Sequence, residues 1–440
     1  MTGHSIAREP LQTGLDRIGL LAKTQPQVVF NNIGHALTEE LLLKSFDELS
    51  GRKAIGIDKV TKEMYGQNLR LNISNLLKKI RSGTYRPQPV RIVEIPKEDG
   101  STRPLAISCF EDKIVQAAVA TILEQIYEPV FLPCSYGFRP ERNCHDALRS
   151  LMRSIFAFRD GAVVEIDIRK YFNMIPHEPL MKIINDKIAD RRFLKLIRIL
   201  ITVPTLEDGK SVPNTRGCPQ GSILSPILAN IFLHHVIDQW FNLVKHTHLK
   251  KRAELIRYAD DMVFSFESRH DAARIWAVLG KRLNKYGLDI HEDKSRVLES
   301  GSQAAKRAEH TGKRMPTYHF LGFTCYWGKA RKGFWRPKLT SRKDRFTKAL
   351  KAMRTYLREN LNTEDTIKTL KGVVRQIRGW INYHAISDNQ RRVSLFLDQA
   401  KKVIYKWFNR RGKFSLEWNN LSSWLKRIDF PNRFKTISMW

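Results

Sequence analysis

The sequence predicts an α+β fold that ends in a helical module, and three observations carry that prediction. Two short β-type runs, Val90-Arg91-Ile92-Val93-Glu94-Ile95 and Ala162-Val163-Val164-Glu165-Ile166-Asp167, alternate with stretches whose apolar residues recur at helical spacing. Arg257-Tyr258-Ala259-Asp260-Asp261-Met262-Val263-Phe264 reads as two strands around a tight turn, because apolar residues flank Ala-Asp-Asp. The last quarter then turns into basic amphipathic helices.

Taken in order, Leu11, Leu15 and Ile18, then Leu37, Leu41 and Leu42, predict two or more helices over residues 10–50. A basic stretch punctuated by Gly and Pro runs from Arg81 to Gly100, with the strand 90–95 inside it and Asp99-Gly100 as a hairpin turn. Helices follow over 111–127 and 143–158, and the strand 162–167 ends in an acid. Near the C-terminus, Phe346, Leu350, Met353 and Leu357 share one helical face. Ile367, Leu370, Val374, Ile377 and Ile381 share another, after a capping start at Thr363-Glu364-Asp365. Ala400, Val403, Ile404, Trp407 and Phe408 form a third.

At 440 residues the chain has room for about three domains, and with 42% hydrophobic and 27% charged residues it is neither disordered nor fibrous. It has no run of 18 apolar residues and no signal-peptide layout, so a soluble, unsecreted protein is expected. Its 5 cysteines are odd in number and form no CxxC pair, which argues against a disulfide framework and a zinc knuckle. The formal net charge is +32. From Arg331 to Trp440 there are 27 Lys and Arg against 8 Asp and Glu, a local +19. Such an excess repels itself unless a polyanion answers it, and nucleic acid is the expected partner.

Two adjacent carboxylates at a hairpin tip, Asp260 and Asp261, repel each other and suit no core; a divalent cation resolves that repulsion. Asp167 ends another strand, so three carboxylates could gather two metal ions. That is the requirement of nucleotidyl transfer, and Mg²⁺ suits it by leaving coordination positions for phosphate oxygens.

Several blocks, in order, carry a family resemblance. Tyr258-Ala259-Asp260-Asp261 resembles the YxDD box of reverse transcriptases, Asp167 to Phe172 the first palm motif, and Pro219 to Pro226 the PQGxxxSP block. Ser135-Tyr136-Gly137-Phe138-Arg139-Pro140 resembles the SxGFRP block of group II intron reverse transcriptases. Ile95-Pro96-Lys97, Arg103-Pro104-Leu105 and Asp112 to Gln116 resemble that family's fingers. Leu321-Gly322-Phe323 resembles its primer-grip turn, and Gly379 to Tyr383 its maturase (thumb) region. The chain therefore resembles a group II intron-encoded reverse transcriptase/maturase of the endonuclease-less bacterial type.

The resemblance implies a right-hand polymerase: a helical N-terminal extension (1–75), fingers (76–155), palm (156–330), thumb/maturase domain (331–410) and a short tail (411–440) standing for a truncated DNA-binding region, without an HNH endonuclease. It implies two Mg²⁺ ions at Asp167, Ile168, Asp260 and Asp261, and dNTP contacts from Lys97, Arg103, Phe172, Gln220, Gly221 and Lys294. Phe172 would exclude a 2′-hydroxyl, and Lys294 would protonate pyrophosphate. Leu321, Gly322 and Phe323 would grip the primer. Arg139, Arg142 and Lys113 would track the template or RNA, while Tyr136 and Phe138 pack. The implied partners are an intron RNA template, an RNA–DNA heteroduplex and target DNA in the bacterial cytoplasm, with no membrane. Cys218, Ser222 and Asn173 depart from the residues common in the family. Three other readings stay open: a host-adopted relative in defence or repair, a catalytically silent splicing factor, and an RNA-templated RNA polymerase, which Phe172 opposes.

Overall fold

A computed structural model describes residues 14–96, 102–207, 210–360, 365–410 and 417–440. Leu11, Lys97, the Asp99-Gly100 turn and Thr363-Glu364 lie outside the described residues. The N-terminal helices are α1 (Gly14–Thr24), α2 (Glu39–Glu48), α3 (Lys62–Gly66) and α4 (Leu69–Ser82). Thr38 caps α2 by accepting from the Leu41 N–H, and Gly83, at φ +73°, ends α4. β1 (Val90–Pro96) and β2 (Thr102–Ile107) pair antiparallel as far as Pro96 opposite Thr102. α5 (Phe110–Tyr127) is apolar nearly all round and is buried against α1 and α2. α6 (Cys144–Phe156) begins on a reciprocal cap between Asn143 and Asp146.

The palm begins with β3 (Gly161–Ile166), followed by α7 (Tyr171–Met174), α8 (His177–Asn185), α9 (Arg191–Ile201), β4 (Thr205–Glu207) and β5 (Lys210–Val212). β4 runs parallel to β1, so the fingers sheet has the order β2-β1-β4-β5. Next come α10 (Ser225–Leu233), a π-helical segment (His234–Gln239) and α11 (Trp240–Thr247). β6 (Ala253–Tyr258), β7 (Asp261–Phe266), α12 (Arg269–Asn284), β8 (Arg296–Ser300) and α13 (Ser302–His310) complete it.

The central antiparallel sheet has the order β6-β7-β3-β8, and its strand period places the cores. Ala162, Val164 and Ile166, with Met262, Phe264 and Phe266, face the main core under the N-terminal and palm helices. Val163, Ile256 and Val263 face the other way, onto α6. Burial on both faces explains why these strands read as continuous apolar runs.

A second antiparallel sheet, order β11-β10-β9, is built from β9 (Tyr318–Phe320), β10 (Phe323–Lys329) and β11 (Trp335–Ser341), and shares the α6 core. The thumb helices α14 (Lys343–Asn360), α15 (Thr366–His384) and α16 (Gln390–Asn409) close over a core of their own, and the Asp365 side chain caps α15 by accepting from the Ile367 N–H. A fourth helix, α17 (Trp418–Arg427), adds Leu421 and Leu425 to that core, and Ile428 and Phe430 follow. The chain then returns to the palm: Ile437 bridges Ile386, Met439 is fully buried in the α6 core, and Trp440 meets Phe156 edge-on at 5.4 Å. Among the described residues no helix is long and apolar enough to cross a membrane.

Candidate active site

The β6–β7 hairpin turns on two residues, Ala259 and Asp260, with Tyr258 paired to Asp261. Ala259 holds φ +57°, a left-handed conformation that costs a non-glycine residue about 1–3 kcal/mol and persists only where the surroundings enforce it. Part of that enforcement is Gly137 of the SxGFRP block. A Cβ built there would lie 2.4 Å from the Ala259 nitrogen and 2.9 Å from the Tyr258 carbonyl carbon. Those are backbone atoms where β6 enters its turn, and they cannot move aside cheaply. Gly137→Ala should therefore destabilise the fold by about 1–3 kcal/mol in urea titrations and reduce whatever activity the turn supports; unchanged stability would contradict this packing.

The turn overlooks a cleft of about 960 Å³ whose walls include Arg103, Asp167, Asp261, Lys294, Leu321 and Gly322. Burial raises the Asp260 carboxyl above its usual range, with the Asp167 charge adding to it and Arg103 opposing. Asp261 is pushed up to about 7, first by the protein packed around its carboxyl and then by Asp260 and Asp167, partly offset by Arg345. Asp261 nevertheless keeps an open side towards the cleft, so ions reach it. Lys294 stands beside Asp167, its Nζ 3.7 Å from Oδ2.

Asp167 itself is fixed by its backbone, whose N–H donates to Ser295 Oγ at 3.0 Å. Next to it, Ile168 bridges Ile290, and the bridge's hydrogen bonds come from the neighbours, Arg169 N–H to Asp289 and His291 N–H to Asp167. Ile168 has an aliphatic side chain, so only its carbonyl can meet a cation.

Among the described residues no three His, Cys, Asp or Glu side chains form a closed metal-holding group. The acids share a field and Asp167 and Asp261 share the cleft, but they do not form a preformed cage. Hard oxygen donors with raised affinity for positive charge still fit a divalent cation that takes its remaining ligands from substrate phosphates, as Mg²⁺ does.

Other expected residues are placed less uniformly. Phe172 is half-buried, packs edge-on against Tyr171 at 5.4 Å, and accepts from the Cys218 N–H through its carbonyl. Gln220 donates to Asn173 at 2.8 Å and Ser222 to Gln116 at 3.1 Å, so each of the three departures from the family pattern lies in or against this loop through a hydrogen bond of its own. Gly221, at φ +106°, makes a close approach, and what it approaches is the Ala106 carbonyl of β2. Leu321 and Gly322, both at positive φ, form the β9–β10 turn on the cleft wall, and the Leu321 carbonyl accepts from Tyr383 Oη.

Three expectations are corrected. Phe323, expected in the primer grip, is fully buried and stacks on Tyr383, so it supports the β9–β10 turn from inside and has no surface to offer a primer. The Arg139 side chain is only 3% exposed and is held bidentately by Glu128 and by the Leu132 and Ser135 carbonyls, which leaves nothing for a template phosphate. Phe138, expected to pack, is instead half-exposed at a left-handed φ of +56°. Arg142 is directed to the Pro133 and Ser135 carbonyls, and Lys113 to Ala54, which makes both loop staples before anything else. Lys97 lies outside the described residues.

Motif reading missed Glu165, Arg296, His319, Arg342, Arg345 and Lys348, which also line the cleft. Glu165 accepts from Arg296 at 3.0 Å and from the His319 N–H at 3.2 Å. Only strand pairing and the joining of α14 to the β9–β10 turn, through Arg342 N–H to Gly322, bring them there.

A family model described as reverse transcriptase (RNA-dependent DNA polymerase) matches residues 95–325. The chain is similar to the group II intron-encoded protein LtrA of Lactococcus lactis subsp. cremoris, 36% identical over 230 residues that cover 52% of this chain and 38% of that protein. It is also similar to protein YkfC of Escherichia coli K12, 33% identical over 233 residues, 51% of this chain and 61% of that one. An uncharacterized 91 kDa protein in the cob intron of Schizosaccharomyces pombe is 41% identical over 175 residues, 39% of this chain and 21% of that one. The chain spans less than two thirds of the length of these relatives. The family match, however, takes in more than half of this chain, from the end of β1 to beyond the β9–β10 turn with Asp167, Asp260 and Asp261 inside it, and this protein belongs to the reverse transcriptase (RNA-dependent DNA polymerase) family.

Proposed function

We propose that the protein is an RNA-directed DNA polymerase that copies RNA into cDNA, and that it serves as a maturase for a group II intron RNA. The observation that carries the polymerase reading is the hairpin tip holding Asp260 and Asp261 in one field with Asp167, beside Lys294. Asp167, Asp260 and Asp261, with the Ile168 carbonyl, would hold two Mg²⁺ ions. Such ions would activate the primer 3′-hydroxyl and neutralise the departing pyrophosphate.

The chain's own groups do the rest. Lys294, next to Asp167, is placed to give a proton to the leaving pyrophosphate. Arg103 presents a guanidinium to the triphosphate side, where bidentate phosphate contact suits it. Phe172, locked against Tyr171, limits the space at the sugar. Leu321 and Gly322 border the primer end. The basic thumb would grip a duplex by phosphate and shape, giving steep salt dependence. The maturase reading is supported by the similarity to intron-encoded proteins and by the +19 of the last 110 residues.

The test is dTTP incorporation on poly(rA)/oligo(dT) with and without Mg²⁺; no extension under either condition would overturn the polymerase reading. Its pH dependence follows from Asp261, whose carboxyl sits at about 7. Protons and cations compete for this group, so the half-saturating Mg²⁺ concentration should rise by up to roughly 10-fold per unit as pH falls below that value. A flat dependence between pH 6 and 8 would contradict it.

Stability in metal-free buffer should move the other way. The folded chain holds this proton more tightly than the unfolded chain, where an Asp titrates near about 3.9. The resulting stabilisation is complete below that value and is lost as pH rises through about 7. Asp261→Asn should thus raise Tm at pH 8 and leave it nearly unchanged at pH 4.

A further inference from the structure

We propose that the buried Arg257–Asp238 ion pair is a positioning device for the catalytic turn, an inference that rests on the polymerase function proposed above. Arg257 directly precedes the YxDD box and is fully buried. Its Nε and Nη2 donate to the two oxygens of Asp238 at 2.8 and 2.5 Å. Its Nη1 donates to Asn230 Oδ1 at 2.9 Å and to the Ala259 carbonyl at 3.0 Å. Asn230 Nδ2 in turn donates to the Gly137 carbonyl at 2.8 Å. One planar cation therefore ties the left-handed residue of the turn to α10, to the π-helical segment, and through Asn230 to the loop that lies against the turn's backbone.

The Ala259 carbonyl belongs to the peptide plane that joins Ala259 to Asp260. A charged donor on that oxygen sets the tilt of the plane, and the plane sets the direction in which Asp260 leaves the backbone. Ala259 at φ +57° does not hold that tilt by its own preference. The partner carboxylate also depends on an irregularity: Asp238 lies in the π-helix His234–Gln239, whose wider turn changes which residue faces β6. Stability alone is a poor account of the pair, because apolar residues of the same volume commonly match or exceed a buried ion pair.

That last point supplies the experiment. The double variant Arg257→Met/Asp238→Leu replaces the pair by apolar residues and should melt close to the wild type. Its kcat on poly(rA)/oligo(dT) should fall roughly 10- to 100-fold with KM for primer–template unchanged. The half-saturating Mg²⁺ concentration should rise. Mn²⁺ titrated by EPR into the complex with dideoxy-terminated primer, template and dTTP should bind more weakly. Arg257→Lys, which keeps the charge but cannot reach three partners at once, should show the same split.

A double variant that regains stability, kcat and Mn²⁺ affinity together would overturn the proposal, leaving the pair structural only. Should it not fold, Asp238→Asn decides. That variant keeps the volume and removes the charge that holds Arg257 on the Ala259 carbonyl, so lowered kcat with weaker Mn²⁺ binding supports positioning and wild-type values refute it. A wild type that extends no primer sinks the polymerase function; the Mn²⁺ titration, which needs no turnover, still decides the role of the pair.

Discussion

Asp260→Ala is expected to lower primer extension by on the order of 10³-fold or more while leaving RNA affinity within about 2-fold of the wild type. The reason lies in how differently the two properties are built. Asp260 sits at the tip of a strained two-residue turn, and burial and the Asp167 charge raise its affinity for positive charge. Removing it would take away a proposed cation ligand and relieve like-charge repulsion, so the fold should not weaken. Under the proposed function RNA affinity would rest on many phosphate contacts from a chain of net charge +32, and one acid at the hairpin tip would barely enter that sum. Splicing assistance, which needs binding and no metal chemistry, should survive in the same variant. Extension at near wild-type rate would show that the metal assignment is wrong. Loss of RNA binding together with extension would show that the turn is structural first.

What the sequence made legible follows from period and turn chemistry. The hairpin at Arg257–Phe264 could be read because apolar residues on both sides meet an Asp-Asp pair, and the strand before Asp167 because a short apolar run ends in an acid. Charge pairing through space could not be read. Arg139 looks like a phosphate contact until Glu128, 11 residues away, takes the Nε–Nη2 edge of its guanidinium and the Leu132 and Ser135 carbonyls take Nη1. Arg345 and Lys348 belong to no motif and reach the cleft only because the start of α14 is tied to the β9–β10 turn, through the Arg342 N–H and the Gly322 carbonyl.

Other features left a signal that motif matching passed over. Phe320 and Phe323 flank a two-residue turn, and paired residues of a hairpin share a face, so both had to point inward together. Leu421, Leu425 and Ile428 carry the helical spacing of α17. The π-helix over His234–Gln239 left none, because its register is decided by packing and by the Arg257–Asp238 pair.

Phe172→Ala should cut the preference for dNTP over NTP on the order of 100-fold, mainly by admitting ribonucleotides and less by slowing dNTP addition. Under the proposed function three features would make the ring a wall. Lys170, left-handed at φ +43°, turns the chain sharply after β3, so that Phe172 follows Asp167 by five residues yet lies on the next helix. Tyr171 beneath it is buried and donates its hydroxyl to the Ala229 carbonyl at 2.6 Å. The Phe172 carbonyl is held by the Cys218 N–H at 2.8 Å, which ties the ring's backbone to the PQGxxxSP loop. A side chain anchored at its neighbour and at its own backbone cannot swing aside for an extra hydroxyl, and truncating it opens that volume without moving the acids. Phe172→Tyr keeps the ring and should keep the discrimination, whereas Phe172→Val should fall between the two. Ratios of kcat/KM for dTTP and UTP on poly(rA)/oligo(dT) measure the effect. Unchanged ratios in the Ala variant would place the sugar elsewhere and leave Phe172 as packing for the palm.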